Sequence, residues 1–348
     1  MMTRKTLKVG ISAIFDPLVS PHARTFMRAL TAARNHLAPL SQVEFLFADD
    51  GADPGVARNA ARGFIEAGVD LVIGHFSSDA AMGVREIYRD AGRALLAPAA
   101  TADAVTRAGA VFRICPPDHG LAQTVLNHCV AQGWRRVCVH SDGSLHGGAI
   151  ADALERSALH HGVTLVEPGS AAAVIFCGRL LLSVAYLARH LEAAPSCPLI
   201  LTDDAVSPHI PGLPAGSAPV HAVGFRPAAH YQGANLVCRQ HRQLFGSDPE
   251  TYFVESYAAF EILAALVQSG SATPLAERLA TESFSTVLGT VQFKDGENPG
   301  AGHAVFALQE AGFYPVHEMS PGGPEATLAG DRIIPSRIPS SLAVRSLS

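Results

Sequence analysis

Residues 95–104, LLAPAATADA, combine small side chains with one hydroxyl in a place that suits ligand binding. A run of apolar residues typical of a buried strand stops at Pro98, and Ala99, Ala100 and Thr101 follow. In an open α/β sheet, ligands bind beyond the carboxyl ends of the strands. Small side chains there let backbone dipoles approach a ligand. The residues leave one alternative open, which is a strand-to-helix turn with Thr101 as its N-cap.

Motifs that would carry catalysis or metal binding are missing from the sequence. There is no G-x-S-x-G, phosphate-loop or G-x-G-x-x-G pattern, and the 16 histidines show no H-E-x-x-H spacing. Residues 140–146 contain two histidines that flank Asp142 and Ser144, but residues adjacent in sequence rarely form a catalytic triad. We interpret this segment as a loop, and we predict that the protein is not an enzyme and uses no metal or cofactor.

The net charge and the apolar runs of the sequence limit the classes of partner that the protein can bind. A formal net charge of -5 offers no basic surface for nucleic acid. The longest apolar span, residues 171–188, has Arg179 at its centre, which favours a strand and a helix over direct membrane insertion. No secretory signal precedes the first strand, and the six cysteines form no C-x-x-C pair. We therefore expect a cytoplasmic location as written, or a periplasmic one if the true start lies upstream.

Strand-like and helix-like segments alternate in two blocks, which predicts an α/β fold with two Rossmann-like lobes and parallel sheets. Pro116 and Pro117 mark a first crossing between the blocks, and residues 225–227 mark a second. Two further helical stretches then return to the first block. The expected division is lobe I at 1–115 plus 227–300, lobe II at 116–226 plus 301–320, and a flexible tail rich in proline, glycine and serine at 321–348.

Five segments in order resemble the leucine/isoleucine/valine-binding protein family, the type I periplasmic binding proteins of branched-chain amino acid ABC transporters. They are FADDGADPGVARNAARGFIEAGVDLVIGHFSS, LLAPAATADAV, AVFRI, VESYAAFEILAALVQS and VLGTVQFKDGENPG. The similarity runs over residues 7–318. It implies two lobes joined by three crossings, which close on a small ligand about a hinge.

The resemblance also implies roles for individual residues of lobe I. Two family loops hold the α-carboxylate and the α-amino group of an amino acid, and they correspond here to Ser77 and Ser78 and to the stretch from Ala99 to Thr101. By position, Ser78 would donate its hydroxyl, and Thr101 its hydroxyl and its backbone N–H. The carbonyl of Ala99 would accept from the ammonium. Some family members carry a disulfide whose two positions are Ala52 and Ser77 here, which again favours a cytoplasmic protein.

Lobe II departs from the family pattern at its candidate ligand residues. Leu145 stands where the family often has a tyrosine over the ligand, and Arg179 stands at a family aromatic position. Asp204 replaces the ammonium-binding glutamate. Arg179 and Asp204 would recognise a carboxylate and an amine, or else they form a solvated pair at the lobe surface.

The chain between two strands of lobe II is also unusually short. Only the six residues PGSAAA follow VTLVE before the next strand, whereas adjacent parallel strands need a crossover of about a dozen residues or more. We expect that lobe II lacks one helix, or that Pro168 and Gly169 turn the chain into an antiparallel pairing.

The function expected from these observations is non-enzymatic binding of a small amino-acid-like or amide-like solute between the lobes. The protein would serve with an ABC permease, or act as a cytoplasmic ligand sensor with a regulator, as the amide-sensing regulator of the amidase operon does. The alternative is a degenerate binding-protein scaffold that acts through protein–protein contacts. A DNA-binding repressor of the LacI type is excluded because the first strand begins by residue 7 and leaves no room for a helix-turn-helix.

Overall fold

The computed structural model describes residues 6–17, 20–193 and 196–316, and these residues form two α/β lobes. The predicted fold class is confirmed, because each lobe is built on a sheet whose strands are mainly parallel. The chain passes between the two sheets three times, after residues 113, 225 and 291. The predicted tail, 321–348, and residues 317–320 of predicted lobe II lie outside the described residues.

The sheet of lobe I has five parallel strands in the order β2-β1-β3-β4-β5. Helices follow the first three strands, as the alternating pattern predicts. The elements are β1 (Leu7–Ala13), α1 (Pro21–His36), β2 (Val43–Asp49), α2 (Pro54–Glu66), β3 (Leu71–Gly74), α3 (Ser78–Asp90), β4 (Ala94–Ala97) and β5 (Val111–Arg113).

The sheet of lobe II has seven strands in the order β14-β13-β10-β9-β8-β6-β7. Five of them are parallel, and the last two add an antiparallel edge. The first elements are α4 (Asp118–Ala131), β6 (Arg136–Ser141), α5 (Leu145–Ala158), β7 (Thr164–Leu165), β8 (Ala173–Cys177), α6 (Leu180–Glu192), β9 (Leu199–Leu201) and β10 (Val220–Phe225).

After β10 the chain returns to lobe I. Helix α8 (Phe253–Ser269) is buried over most of its surface, and it packs against α1 inside the same hydrophobic core as β1, β3 and β4. The returning elements are α7 (Asn235–Phe245), α8 (Phe253–Ser269), α9 (Leu275–Thr281) and the hairpin β11 (Phe284–Thr286) and β12 (Gly289–Val291). Strands β13 (His303–Gln309) and β14 (Gly312–Pro315) then complete the sheet of lobe II.

The short connection in lobe II agrees with the expectation that this lobe lacks one helix. Between β7 and β8 the chain forms only a 3-10 turn at Pro168–Ser170, so no helix stands there. Both strands pair with β6 in parallel, on its opposite sides, and the antiparallel alternative is therefore wrong. Strand β7 has only two residues, opposite Arg136 and Val137, at the start of β6. Because β7 ends after two residues, close to the start of β6, the chain needs only a short connection to reach the start of β8. No helical crossover is required.

The apolar span at residues 171–188 is divided between β8 and α6. Within the residues that the structure describes, none of the helices combines the length and the apolar character needed to cross a bilayer.

Candidate functional site

A cavity of about 330 Å³ lies between the two lobes. Its volume is at the lower end of the range for small-molecule sites, about 300–1,000 Å³. One wall is apolar, and polar side chains stand on both lobes. The lining residues are Ile14, Ser20, His22, Gly51, Ala52, Phe76, Ser77, Ser78, Ala99, His146, Arg179, Leu180, Leu181, Leu182, Asp204 and Tyr252.

The loop after β3 carries Ser77 and Ser78 to the cavity, and a buried polar network holds it. The Nδ1 atom of His75 lies 3.0 Å from Oδ2 of Asp50, and its Nε2 atom lies 2.8 Å from the hydroxyl oxygen of Tyr88. Gly74 begins this loop with φ 124°, and a Cβ there would lie 2.0 Å from the carbonyl oxygen of Ser12. The backbone before the two serines therefore requires glycine.

The loop after β4 contains Ala99, Ala100 and Thr101, and it is joined to the β3 loop through Ser78. The Ser78 hydroxyl oxygen accepts hydrogen bonds from the backbone N–H groups of Thr101 at 3.1 Å and of Ala102 at 3.2 Å. Ser78 therefore keeps its hydroxyl hydrogen for a ligand, whereas the N–H of Thr101 is already used within the protein. Ala99 lines the cavity, but Ala100 and Thr101 stand behind its wall.

Arg113 fixes the β4 loop from below. Its guanidinium is fully buried and donates to the carbonyl oxygens of Thr101 at 2.6 Å and Ala102 at 2.7 Å. It also donates twice to the carboxylate of Glu297, at 2.9 and 2.6 Å. Hydrogen bonds of this charge-assisted kind are the strong ones, so the loop is held in place before any ligand arrives.

On lobe II, residues 142–146 bring His146 rather than Leu145 to the cavity. Asp142 accepts hydrogen bonds from the backbone N–H groups of Ser144 and Arg179 and from the Ser144 hydroxyl. Burial alone raises the pKa of Asp142, but these hydrogen bonds hold it below its usual value. The Leu145 side chain is 70% exposed and stands away from the cavity, while His146, one residue later in α5, faces inward.

Two polar contacts join the lobes across the cavity. Arg179 pairs with Asp79 of lobe I, with 2.6 Å between Nη2 and Oδ2. Asp204 accepts a hydrogen bond from the hydroxyl of Tyr252 and lies 3.6 Å from Nε2 of His22, both of lobe I. The two residues therefore do not pair with each other, and each reaches the opposite lobe.

Tyr252 is held in an uncommon backbone conformation at this contact. Its φ of 73° lies in the left-handed region, immediately before α8. Its ring packs edge-on against Phe76, Phe225 and His22. A bulky residue at such a φ persists only where its surroundings determine it, and residues of this kind concentrate at functional sites.

At the cavity wall and directly behind it lies a cluster of buried polar side chains that we call the inner cluster, comprising Asp118, His146, Asp203 and Asp204 of lobe II and His22 of lobe I. The Nε2 atom of His146 lies 3.3 Å from Oδ1 of Asp203. Burial by itself lowers the pKa of His146, but the charges of Asp203, Asp204 and Asp118 outweigh it and raise the pKa to about 10. Burial raises the pKa of Asp118 to about 6.

Comparison with known proteins shows which proteins the chain resembles. A model of a periplasmic binding protein family matches residues 13–172. The Leu/Ile/Val-binding protein homolog 2 of Brucella abortus (strain 2308) is 26% identical over 287 residues, which cover 74% of this chain and 76% of that protein. This chain is similar in sequence to the Leu/Ile/Val-binding proteins. The resemblance expected from the five segments is thereby confirmed.

Solved structures agree on the fold. An ABC transporter substrate-binding protein of Desulfitobacterium hafniense, in complex with Leu, superposes with a TM-score of 0.75 at 20% identity, covering 90% of this chain and 100% of that one. A leucine-binding protein of Thermotoga maritima gives a TM-score of 0.76 at 16% identity, covering 89% and 98%. In sequence and fold the chain is similar to solute-binding proteins of the ABC-transporter type. This relationship supports the prediction that it is not an enzyme.

Sequence reasoning missed several residues of the site. His22, Asp203 and Tyr252 come from separate segments, and no motif joins them. Asp203 stands directly beside Asp204 in the segment LTDDAV, so the two adjacent aspartates could have indicated that both belong to the site. His146 was visible in the same loop as Leu145, and the helical phase of α5 decides which of the two faces the cavity.

Proposed function

We propose that the chain binds a small amino-acid-like or amide-like solute in the cavity between its lobes. The observation that carries the proposal is the polarity of the cavity. Ser77 and Ser78 stand at its lobe I end, at the start of α3, and Asp204 stands across it on lobe II. An amino acid offers a carboxylate to one end and an ammonium group to the other.

The serine end suits a carboxylate or an amide oxygen. The 13-residue helix α3 begins at Ser78, and a helix N-terminus favours negative charge. The free hydroxyl hydrogen of Ser78 adds a donor that points away from the two N–H groups it accepts from. Arg179 lines the same cavity, although Asp79 already neutralises it.

The opposite end suits an ammonium or amide N–H group. Burial alone raises the pKa of Asp204, but His22, His146 and the hydroxyl of Tyr252 together hold it below its usual value. The carboxylate is therefore ionised at neutral pH. The carbonyl of Ala99 is the second acceptor proposed for the ammonium, and Ala99 lines the wall.

The remaining wall suits an apolar side chain. Ile14, Phe76 and the run Leu180–Leu182 line the cavity beside the polar ends. Apolar area removed from water stabilises a complex by about 25 cal/mol per Å² before the costs of association. The protein would present such a solute to an ABC permease or report its presence to a regulator.

A thermal-shift screen tests the proposal with amino acids, short amides, ureas and small carboxylates. A ligand at about 100 times its Kd adds about 2.7 kcal/mol to the free energy of unfolding. We expect a hit that Ser78→Ala weakens and that Ser41→Ala, at an exposed serine outside the cavity, leaves unchanged. A panel without any hit contradicts the proposal and favours the scaffold alternative.

A further inference from the structure

We propose that the inner cluster binds one divalent transition-metal cation of the Zn²⁺ or Ni²⁺ type, held by His146, Asp203 and Asp204 and faced by His22. The inference rests on the proposed function only because it uses the same cavity between closed lobes. It adds a metal ion to the solute, and the solute's amine or carboxylate would complete its coordination.

The distances fit a shared cation. One ligand atom from each of His146, Asp203 and Asp204 lies within 4.8 Å of the other two. Metal–ligand bonds of about 2.1 Å place two ligand atoms about 3 Å apart at right angles and about 4.2 Å apart across an octahedral ion. The pair of His146 Nε2 and Asp203 Oδ1, at 3.3 Å, already has the right-angle spacing.

Buried groups with few partners point to the same place. Asp203 is fully buried, and within the described part of the chain its carboxylate pairs with the imidazole of His146. His22 is 8% exposed, neither of its ring nitrogens makes a hydrogen bond among those same residues, and its Nε2 atom lies 3.6 Å from Asp204. A buried carboxylate or imidazole left in this state costs free energy, so such groups are usually paired or bound to a metal.

The charges call for a cation of more than one unit. The three aspartates of the inner cluster stand beside two imidazoles, His146 and His22, and the nearby Arg179 is paired with Asp79 instead. A divalent ion held by neutral imidazole and carboxylate ligands would supply two positive charges to this cluster.

The donor atoms select among cations. Mg²⁺ and Ca²⁺ prefer sites made of oxygen ligands, whereas imidazole nitrogen suits zinc, nickel, copper and iron. One imidazole with two carboxylates, and a second imidazole from the opposite lobe, therefore favours a transition metal. Because His22 belongs to α1 of lobe I, the ion would also join the two lobes.

Metal titration of the full-length, chelator-treated protein tests the inference. We would titrate Zn²⁺ and Ni²⁺ by calorimetry at pH 7.5 and record the visible absorption of added Co²⁺. The expected result is a site whose Kd rises at least tenfold in His146→Gln and in Asp203→Asn. His119→Gln removes a matched, exposed histidine that pairs with Asp103 at 2.8 Å, and it should leave this site unchanged. His22→Gln, which alters a lining side chain, gives a second variant should a lobe II variant fail to fold.

The outcomes separate the metal from the solute. Absence of binding by Zn²⁺, Ni²⁺ and Co²⁺, or equal affinity in all variants, overturns the metal site. Repeating the solute screen with a chelator present tests the proposed function by itself. A solute that binds equally well with the chelator, to a protein that takes no metal, leaves the proposed function standing and shows that an organic amine neutralises the inner cluster. Metal binding without any solute hit supports the site and contradicts the proposed function.

Discussion

The two lobes present different chemistry to the cavity between them. Behind the loops of lobe I the polar groups satisfy one another, as in the contacts of Asp50 with His75 and of Arg113 with Glu297. In lobe II the carboxylates of Asp118 and Asp203 are buried close to each other, and Asp203 is paired with the imidazole of His146. The contacts of lobe I thus hold its loops in place before a ligand binds, whereas the carboxylates of lobe II leave negative charge that a ligand can neutralise.

Substitution of Arg113 should cause the largest loss in the free energy of unfolding, because it removes the hydrogen bonds that hold the loop after β4. Arg113→Met leaves Glu297 and two loop carbonyls without their buried partner, which typically costs about 3–5 kcal/mol. Urea unfolding followed by circular dichroism measures the change. Arg89→Ala, at an exposed pair with Asp90, is the matched control and should cost less than about 1 kcal/mol. Equal effects of the two variants would show that the β4 loop needs no such support.

Glu255 is a buried carboxylate of lobe I, and it tests the comparison between the lobes through the pH dependence of the free energy of unfolding. It is buried in the first turn of α8, and burial raises its pKa to about 8. Because the folded state favours the neutral acid, stability falls as pH rises from about 4.5 to about 8 and changes little beyond that. Glu255→Gln should therefore add about 4–5 kcal/mol at pH 9 and less than about 1 kcal/mol at pH 5. Thermal unfolding at the two pH values decides, and an equal gain at both would contradict burial as the cause.

The hydroxyl of Tyr252 tests the contact between the lobes. Tyr252→Phe keeps the ring among Phe76, Phe225 and His22 and removes the hydrogen bond to Asp204. A hydrogen bond to a charged group contributes about 1.5–3 kcal/mol, so we expect a loss near the lower value. Denaturant unfolding measures it, and Tyr257→Phe, one turn into α8, is the control. A loss in the control as large as in Tyr252→Phe would assign the effect to α8 packing.

The smallest effect is expected at Arg179. Its side chain is 42% exposed, so the ion pair with Asp79 is screened and contributes less than about 1 kcal/mol. Arg179→Gln should nevertheless favour open lobes, since it removes one of the polar contacts across the cavity. Small-angle scattering at low and high salt checks this, and we expect a larger radius for the variant at low salt only. A radius unchanged at low salt would mean that Asp204 and Tyr252 close the lobes by themselves.

Most of the fold followed from local patterns. The alternation of apolar runs predicted β1 to β4 and their helices, because strand and helix periods are properties of a few consecutive residues. Residues 111–113 were interpreted as part of a crossing, and they form β5 before the chain leaves lobe I. The short connection at PGSAAA left two topologies open. The choice between them depended on how long β7 is, and pairing partners distant in sequence decide that length.

The candidate site was less predictable for the same reason. Ala99 was found because it follows a strand at the edge of the sheet, and Ser78 was found through the family resemblance. His22 and Tyr252 were not, since a histidine in α1 and a tyrosine before α8 meet only when the lobes come together. Leu145 and His146 differ by one residue, and a helix turns by about 100° per residue. A small error in phase therefore exchanges an exposed side chain for one that faces the cavity.

The return of the chain to lobe I has a consequence for synthesis on the ribosome. Strand β5 ends at Arg113, and α8, the most buried helix of the same core, begins at Phe253. At about 5–20 residues per second, these roughly 140 residues take about 7–28 s to emerge. During that time the strands β6 to β10 of lobe II are synthesised, and the sheet of lobe I lacks the helix that completes its apolar core. The nascent chain therefore exposes apolar surface, of the kind that chaperones cover, until α8 emerges and packs against the sheet made earlier.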